Sequence, residues 1–83
     1  MMDKRLTLYI RNGCSLCDEA EILLEYVLEE FPGWSFAQVD IDTDEVLALR
    51  YLYEVPVLSY KEETWICGKF ETDEIRKRLL EKS

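Results

Sequence analysis

Histidine is absent from this chain, and glycine and proline are scarce, with three and two among 83 residues. Without histidine there is no serine–histidine arrangement. Three cysteines by themselves cannot complete a tetrahedral Cys/His metal site within one chain. No glycine-rich run of the kind that cradles phosphate is present. Positive charge is also short: 10 basic residues stand against 18 acidic ones, a net charge of −8. That balance disfavours nucleic acid or an anionic membrane as partner, because both repel an acidic surface, while a basic protein is permitted. No apolar run approaches the roughly 18 residues of a membrane span. The start, Met1-Met2-Asp3-Lys4-Arg5, lacks an apolar core and a small-residue cleavage site, so it reads as unprocessed. An odd number of cysteines does not suit the disulfide framework of a secreted mini-protein, and the expectation is a reducing, cytoplasmic setting.

What is present suits a small globular fold: 48% of residues are hydrophobic and 12% aromatic. A chain of this length forms one domain, 1–83, that buries a little over ~60% of its unfolded surface. Residues 4–10 alternate Leu6, Leu8 and Ile10 with polar or amphipathic neighbours, which predicts a strand. Arg11-Asn12-Gly13 is turn chemistry. Leu16, Ala20, Leu23, Leu24, Val27, Leu28 and Phe31 recur at helical spacing and form one face, the strongly helical run spans 18–31, and Pro32-Gly33 stops it. A second strand spans 34–41. Asp42 and Glu45 predict a capped helix start, and the helix over 44–53 carries Val46, Leu49 and Tyr53 on one side until Pro56 ends it. Val57 to Tyr60 and residues 64–67 form two strands joined by a polar hairpin. A last helix, 71–81, turns Ile75, Leu79 and Leu80 inward. The order β-α-β-α-β-β-α predicts an α/β fold with a four-stranded mixed sheet and three helices.

Gly13-Cys14-Ser15-Leu16-Cys17 joins the first strand to the first helix. Side chains at i and i+3 are neighbours on a helix, and that separation falls within the roughly 4.4–6.8 Å Cα range of a disulfide. At the helix start the first N–H groups lack partners and the macrodipole is positive, which favours a thiolate on Cys14. Cys17, one turn in and more enclosed, keeps its proton and acts second. Cys67, closing a strand, reads as a small buried apolar residue.

These residues, with Val55-Pro56-Val57 about forty positions later and Gly68 beyond, resemble a glutaredoxin on the thioredoxin fold, and the resemblance covers essentially the whole chain. It implies a thiol–disulfide oxidoreductase in which Cys14 is the nucleophile and Cys17 the resolving thiol. It further implies a cis Pro56 that leaves the Val55 N–H and C=O free to pair with a substrate backbone. Arg11, Gly68, Thr72 and Asp73 match positions that hold glutathione, the implied co-substrate, and no cofactor is tightly bound. The implied partners are a disulfide-containing protein or glutathione and a glutathione- or thioredoxin-linked reductase, with a monomer as the default. The motif here is Cys-Ser-Leu-Cys where the family commonly has Cys-Pro-Tyr-Cys, and Asp18 and Glu19 come directly after it. Two alternatives stay open: a non-catalytic adaptor that binds a protein, and an iron–sulfur cluster shared by two subunits with glutathione.

Overall fold

A computed structural model describes residues 4–82. Met1 to Asp3, the start that reads as unprocessed, lies outside them. The first strand, β1 (Arg5–Ile10), runs into helix α1 (Ser15–Leu28), and then come β2 (Ser35–Asp40), a 3-10 turn (Ile41–Thr43) and the short helix α2 (Glu45–Tyr51). β3 (Val57–Tyr60), β4 (Glu63–Cys67) and helix α3 (Thr72–Lys82) complete the order. The sheet runs β2-β1-β3-β4, with β1 and β2 parallel and the other two pairings antiparallel. This is the α/β thioredoxin-like arrangement expected, with three helices and a four-stranded mixed sheet among the described residues.

Period-two alternation in β1 divides the core between the two sheet faces. Leu6 and Leu8 point toward α1 and α3, where they are fully buried with Leu24, Val27, Leu58, Ile75 and Leu79. Tyr9 points to the other face, where α2 lies, and stacks on Tyr51 at 4.6 Å between ring centroids beside buried Ile41 and Val57. Leu8, Leu58 and Ile66 stand opposite one another across three strands and form the centre of the larger layer.

Helix α1 starts three residues before the predicted 18–31, because Cys14 itself caps it: the Cys17 N–H donates to the Cys14 Sγ at 3.2 Å. Leu16, expected on the buried face, is consequently exposed in the first turn. α2 differs more. Its cap is Asp44, not Asp42: the Asp44 carboxylate accepts from the Val46 and Leu47 amides at 2.8 and 3.4 Å. Asp40 takes the corresponding role for the 3-10 turn, accepting from the Asp42 N–H at 2.9 Å. Because Ile41 is anchored in the core, α2 turns Leu47 and Tyr51 toward the sheet and the stripe Val46, Leu49, Tyr53 toward solvent. In α3, Ile75 and Leu79 are buried but Leu80 is exposed, since it lies about 100° around the helix from Leu79, off the line that meets the sheet. Asp44→Ala should remove the α2 cap and cost about 1 kcal/mol, read as a drop of roughly 4–8 °C in melting temperature for a domain of this size.

Candidate active site

The parallel pairing of β1 with β2 and the antiparallel pairing of β1 with β3 bring four chain segments to one end of the sheet. They are the turn after Ile10, the 3-10 turn after Asp40, the segment before Val57, and the end of β4. Gly13, at φ +74, makes the bend that delivers Cys14 to the start of α1. Only a residue without a Cβ enters that region at no steric cost.

Cys14 is half-buried, Cys17 is 2% exposed, and all three cysteines are free thiols. The Cys14 carbonyl accepts from the Cys17 and Asp18 amides at 3.1 and 3.2 Å, so both the sulfur and the carbonyl of Cys14 face the helix N-terminus. Burial first, and the hydrogen bond to Cys14 second, push the Cys17 thiol up from its ordinary value to about 12, against a smaller opposing pull from the Arg11 backbone. One sulfur is thus accessible at the helix end while the other is enclosed and holds its proton.

A cleft of about 510 Å³ opens in front of Cys14, bounded by Arg11, Asn12 and Gly13 on one side and by Asp42, Leu52, Tyr53 and Val55 on the other. The Val55–Pro56 bond is cis. Pro56 is fully buried, so Val55 is what that segment presents to the cleft. Its N–H, expected to be free, donates to the Tyr51 carbonyl at 3.1 Å, because helical turns continue past α2 up to the residue before the proline. Arg11 is also engaged: its Nε donates to Asp42 Oδ2 at 3.1 Å, with both side chains 43% exposed.

Gly68, at φ +81, donates its N–H to the Pro56 and Glu54 carbonyls at 2.9 and 3.2 Å, which ties the end of β4 to the proline segment. Thr72 and Asp73 begin α3 outside the cleft lining, and Asp73 accepts from Arg76 at 3.1 Å. Arg76 also grips Glu30 near the end of α1, at 2.8 Å for its shortest contact, and holds that carboxyl below its usual range. Cys67 is exposed, contrary to the buried apolar reading. It pairs with Val57 at the end of β4, the edge strand of the sheet, where no further strand lies beside it. Among the described residues no group of three or more Cys, His, Asp or Glu side chains could hold a metal ion, and no helix is long and apolar enough to cross a membrane.

Asp42, Leu52 and Tyr53 carry no site signature in the sequence. The β1–β2 pairing does hold a signal for Asp42: residues just beyond the ends of adjacent parallel strands, here Ile10 opposite Asp40, lie side by side.

Residues 5–80 match the model of a glutaredoxin-like domain (DUF836). The chain belongs to that glutaredoxin-like family. A structural-genomics target protein from X. campestris is 34% identical, with a TM-score of 0.75 over 92% of this chain and 96% of that one. A protein of unknown function from Staphylococcus aureus is 15% identical, with a TM-score of 0.73 over 99% and 93%. Fasciola hepatica thioredoxin is 18% identical, with a TM-score of 0.64 over 95% and 80%, which shows a shared fold. No functionally curated protein matches the chain. Within this glutaredoxin-like domain, the fold and the close Cys14–Cys17 pair are consistent with a redox role.

Proposed function

We propose that the protein is a thiol–disulfide oxidoreductase that reduces mixed disulfides of proteins or glutathione through Cys14 and Cys17. One observation carries this reading: an accessible cysteine caps a helix at the mouth of a cleft, with a buried, protonated cysteine one turn behind it. In the first step the Cys14 thiolate attacks one sulfur of the substrate disulfide. A Cys14–substrate disulfide forms, and the other substrate sulfur leaves as a thiolate that takes a proton from water. The Cys17 N–H at the start of α1 donates to the Cys14 Sγ and holds that sulfur at the mouth of the cleft.

In the second step Cys17 loses its proton and attacks the Cys14 sulfur. The second substrate sulfur leaves and is protonated, so the substrate gains two electrons and two protons while the protein becomes the Cys14–Cys17 disulfide. With no histidine in the chain, the proton of Cys17 passes to water, a carboxylate or the departing thiolate. Two glutathione molecules, or the dithiol of a reductase, then return the protein to the dithiol. The Val55 backbone at the cleft edge offers its carbonyl to the substrate chain, and Arg11 can take a glutathione carboxylate once it releases Asp42. Gly68, Thr72 and Asp73 lie outside the cleft lining, with Gly68 tied to the Pro56 carbonyl.

The test is turnover of a small mixed disulfide under two NADPH-driven donor systems, glutathione with glutathione reductase and thioredoxin reductase alone. Turnover with at least one is expected, and Cys14→Ser should abolish it. Intact activity in Cys14→Ser would end the reading. Silence of the wild type with both donors would favour a non-catalytic adaptor.

A further inference from the structure

The outward stripe of α2 lacks a partner within the fold. Val46, Leu49 and Tyr53 are 71%, 79% and 95% exposed. Their spacing of three and four places them along one helical line. Monomeric surfaces scatter single apolar residues, but a contiguous line of large ones marks an interaction site. The line is continuous with the candidate active site, because Tyr53 lines the cleft in front of Cys14.

Its surroundings are acidic. Between Asp40 and Glu54 the chain carries five carboxylates and a single basic residue, Arg50. Arg50 lies 5.2 Å from the ring of Tyr51, the residue that faces the sheet, away from the stripe. Arg11, the cation of the cleft, is paired with Asp42. An occupant therefore meets apolar side chains framed by carboxylates, of which Asp42 is paired with Arg11.

We propose that this face docks a protein partner whose reactive cysteine lies in a segment of mixed basic and apolar side chains. The proposal rests on the oxidoreductase reading and names its substrate class. A second copy of the chain fits poorly, since each copy carries a net charge of −8 and a symmetric contact would set the same acidic rims against each other. A segment with lysine or arginine flanking leucine or phenylalanine matches both the stripe and its frame.

The test uses two synthetic peptides of about ten residues, which span roughly 33 Å when extended. Each carries one central cysteine as a mixed disulfide with mercaptoethanol, flanked by Leu and Phe with either Lys/Arg or Glu. Hydroxyethyl disulfide, small and uncharged, serves as the control substrate. The basic peptide should be reduced with a kcat/KM at least about tenfold above the acidic one, and added salt should narrow the gap. The double variant Val46→Ser/Leu49→Ser should lose about three- to tenfold on the basic peptide while hydroxyethyl disulfide turnover is unchanged. Equal rates on the two peptides would overturn the proposal, as would a double variant that matches wild type on the basic peptide. A wild-type dimer in sedimentation that the double variant dissolves would overturn it too, by assigning the stripe to a second copy. If hydroxyethyl disulfide is itself not turned over, the oxidoreductase reading fails alone. The docking face is then judged by amide shifts: the basic peptide with serine for cysteine must perturb residues 45–53, and their silence would reject it.

Discussion

Cys17→Ser should stop the reaction halfway, leaving a stable mixed disulfide on Cys14 that mass spectrometry detects as the mass of the protein plus one substrate thiol. The buried thiol attacks from one turn away, and an attacking group already in place is worth a very high local concentration. Its loss should slow release of a protein thiol by at least about a hundredfold when no other thiol is added. Excess glutathione should restore part of the turnover, because a free thiol can attack the same Cys14 sulfur. In the wild type the second step should quicken as pH rises. Burial is the first cause that pushes the Cys17 thiol up, and it persists when Cys14 is in the mixed disulfide, so the reactive thiolate of Cys17 should grow with pH by up to about tenfold per unit. Single-turnover release of the second thiol between pH 6 and 9 measures this. A flat profile would mean that deprotonation of Cys17 does not limit resolution.

Leu58→Ala should be the most destabilising single change in the core. Leu58 is fully buried, stands opposite Leu8 on β1 and Ile66 on β4, and belongs to the layer beneath α1 and α3. Neighbours held by two strand pairings cannot easily collapse into the space left behind. The expected cost is therefore in the usual range for this truncation, about 2–5 kcal/mol. For a domain whose total stability is of order 5–15 kcal/mol, that shift is large enough to leave a measurable unfolded fraction well below the wild-type melting temperature. Chemical denaturation with an unchanged m-value and a lowered midpoint would show that packing was lost without a change of fold. A midpoint within about 1 M urea of wild type would imply that the α1 and α3 side chains close the gap.

The mixed sheet and the placement of the Cys-x-x-Cys are legible in the sequence because they depend on local signals. Leu6, Leu8 and Ile10 alternate, Asn12-Gly13 turns, and Pro32-Gly33 and Pro56 bar the helices from running on. Even so, α1 already ends at Leu28, not at the predicted Phe31, and α2 at Tyr51, not Tyr53. The inward face of α2 is illegible for the opposite reason. Its short span offers two apolar lines, Val46-Leu49-Tyr53 and Leu47-Tyr51, and periodicity cannot choose between them. Ile41 chooses, by seating in the core and setting the rotation of α2. Leu80 and Cys67 escape a sequence reading in the same way, since whether an apolar residue is covered depends on an element that comes from elsewhere in the chain.

The candidate site divides along the same line. Cys14 and Cys17 can be named from the sequence because their separation and their place at a strand–helix junction already constrain what two thiols can do. The state of Arg11 and of the Val55 N–H cannot. The Arg11–Asp42 pair spans 31 residues and exists because β1 and β2 run parallel and end together. The Val55 N–H is taken by a helical turn that runs on to the proline. By itself, then, the sequence determined the elements, their order and the dithiol, all properties of spacing along one stretch of chain. Only the tertiary structure decided which charges are paired, which apolar line faces solvent and what walls the cleft. Those depend on which distant segments the sheet brings within a few ångströms of one another.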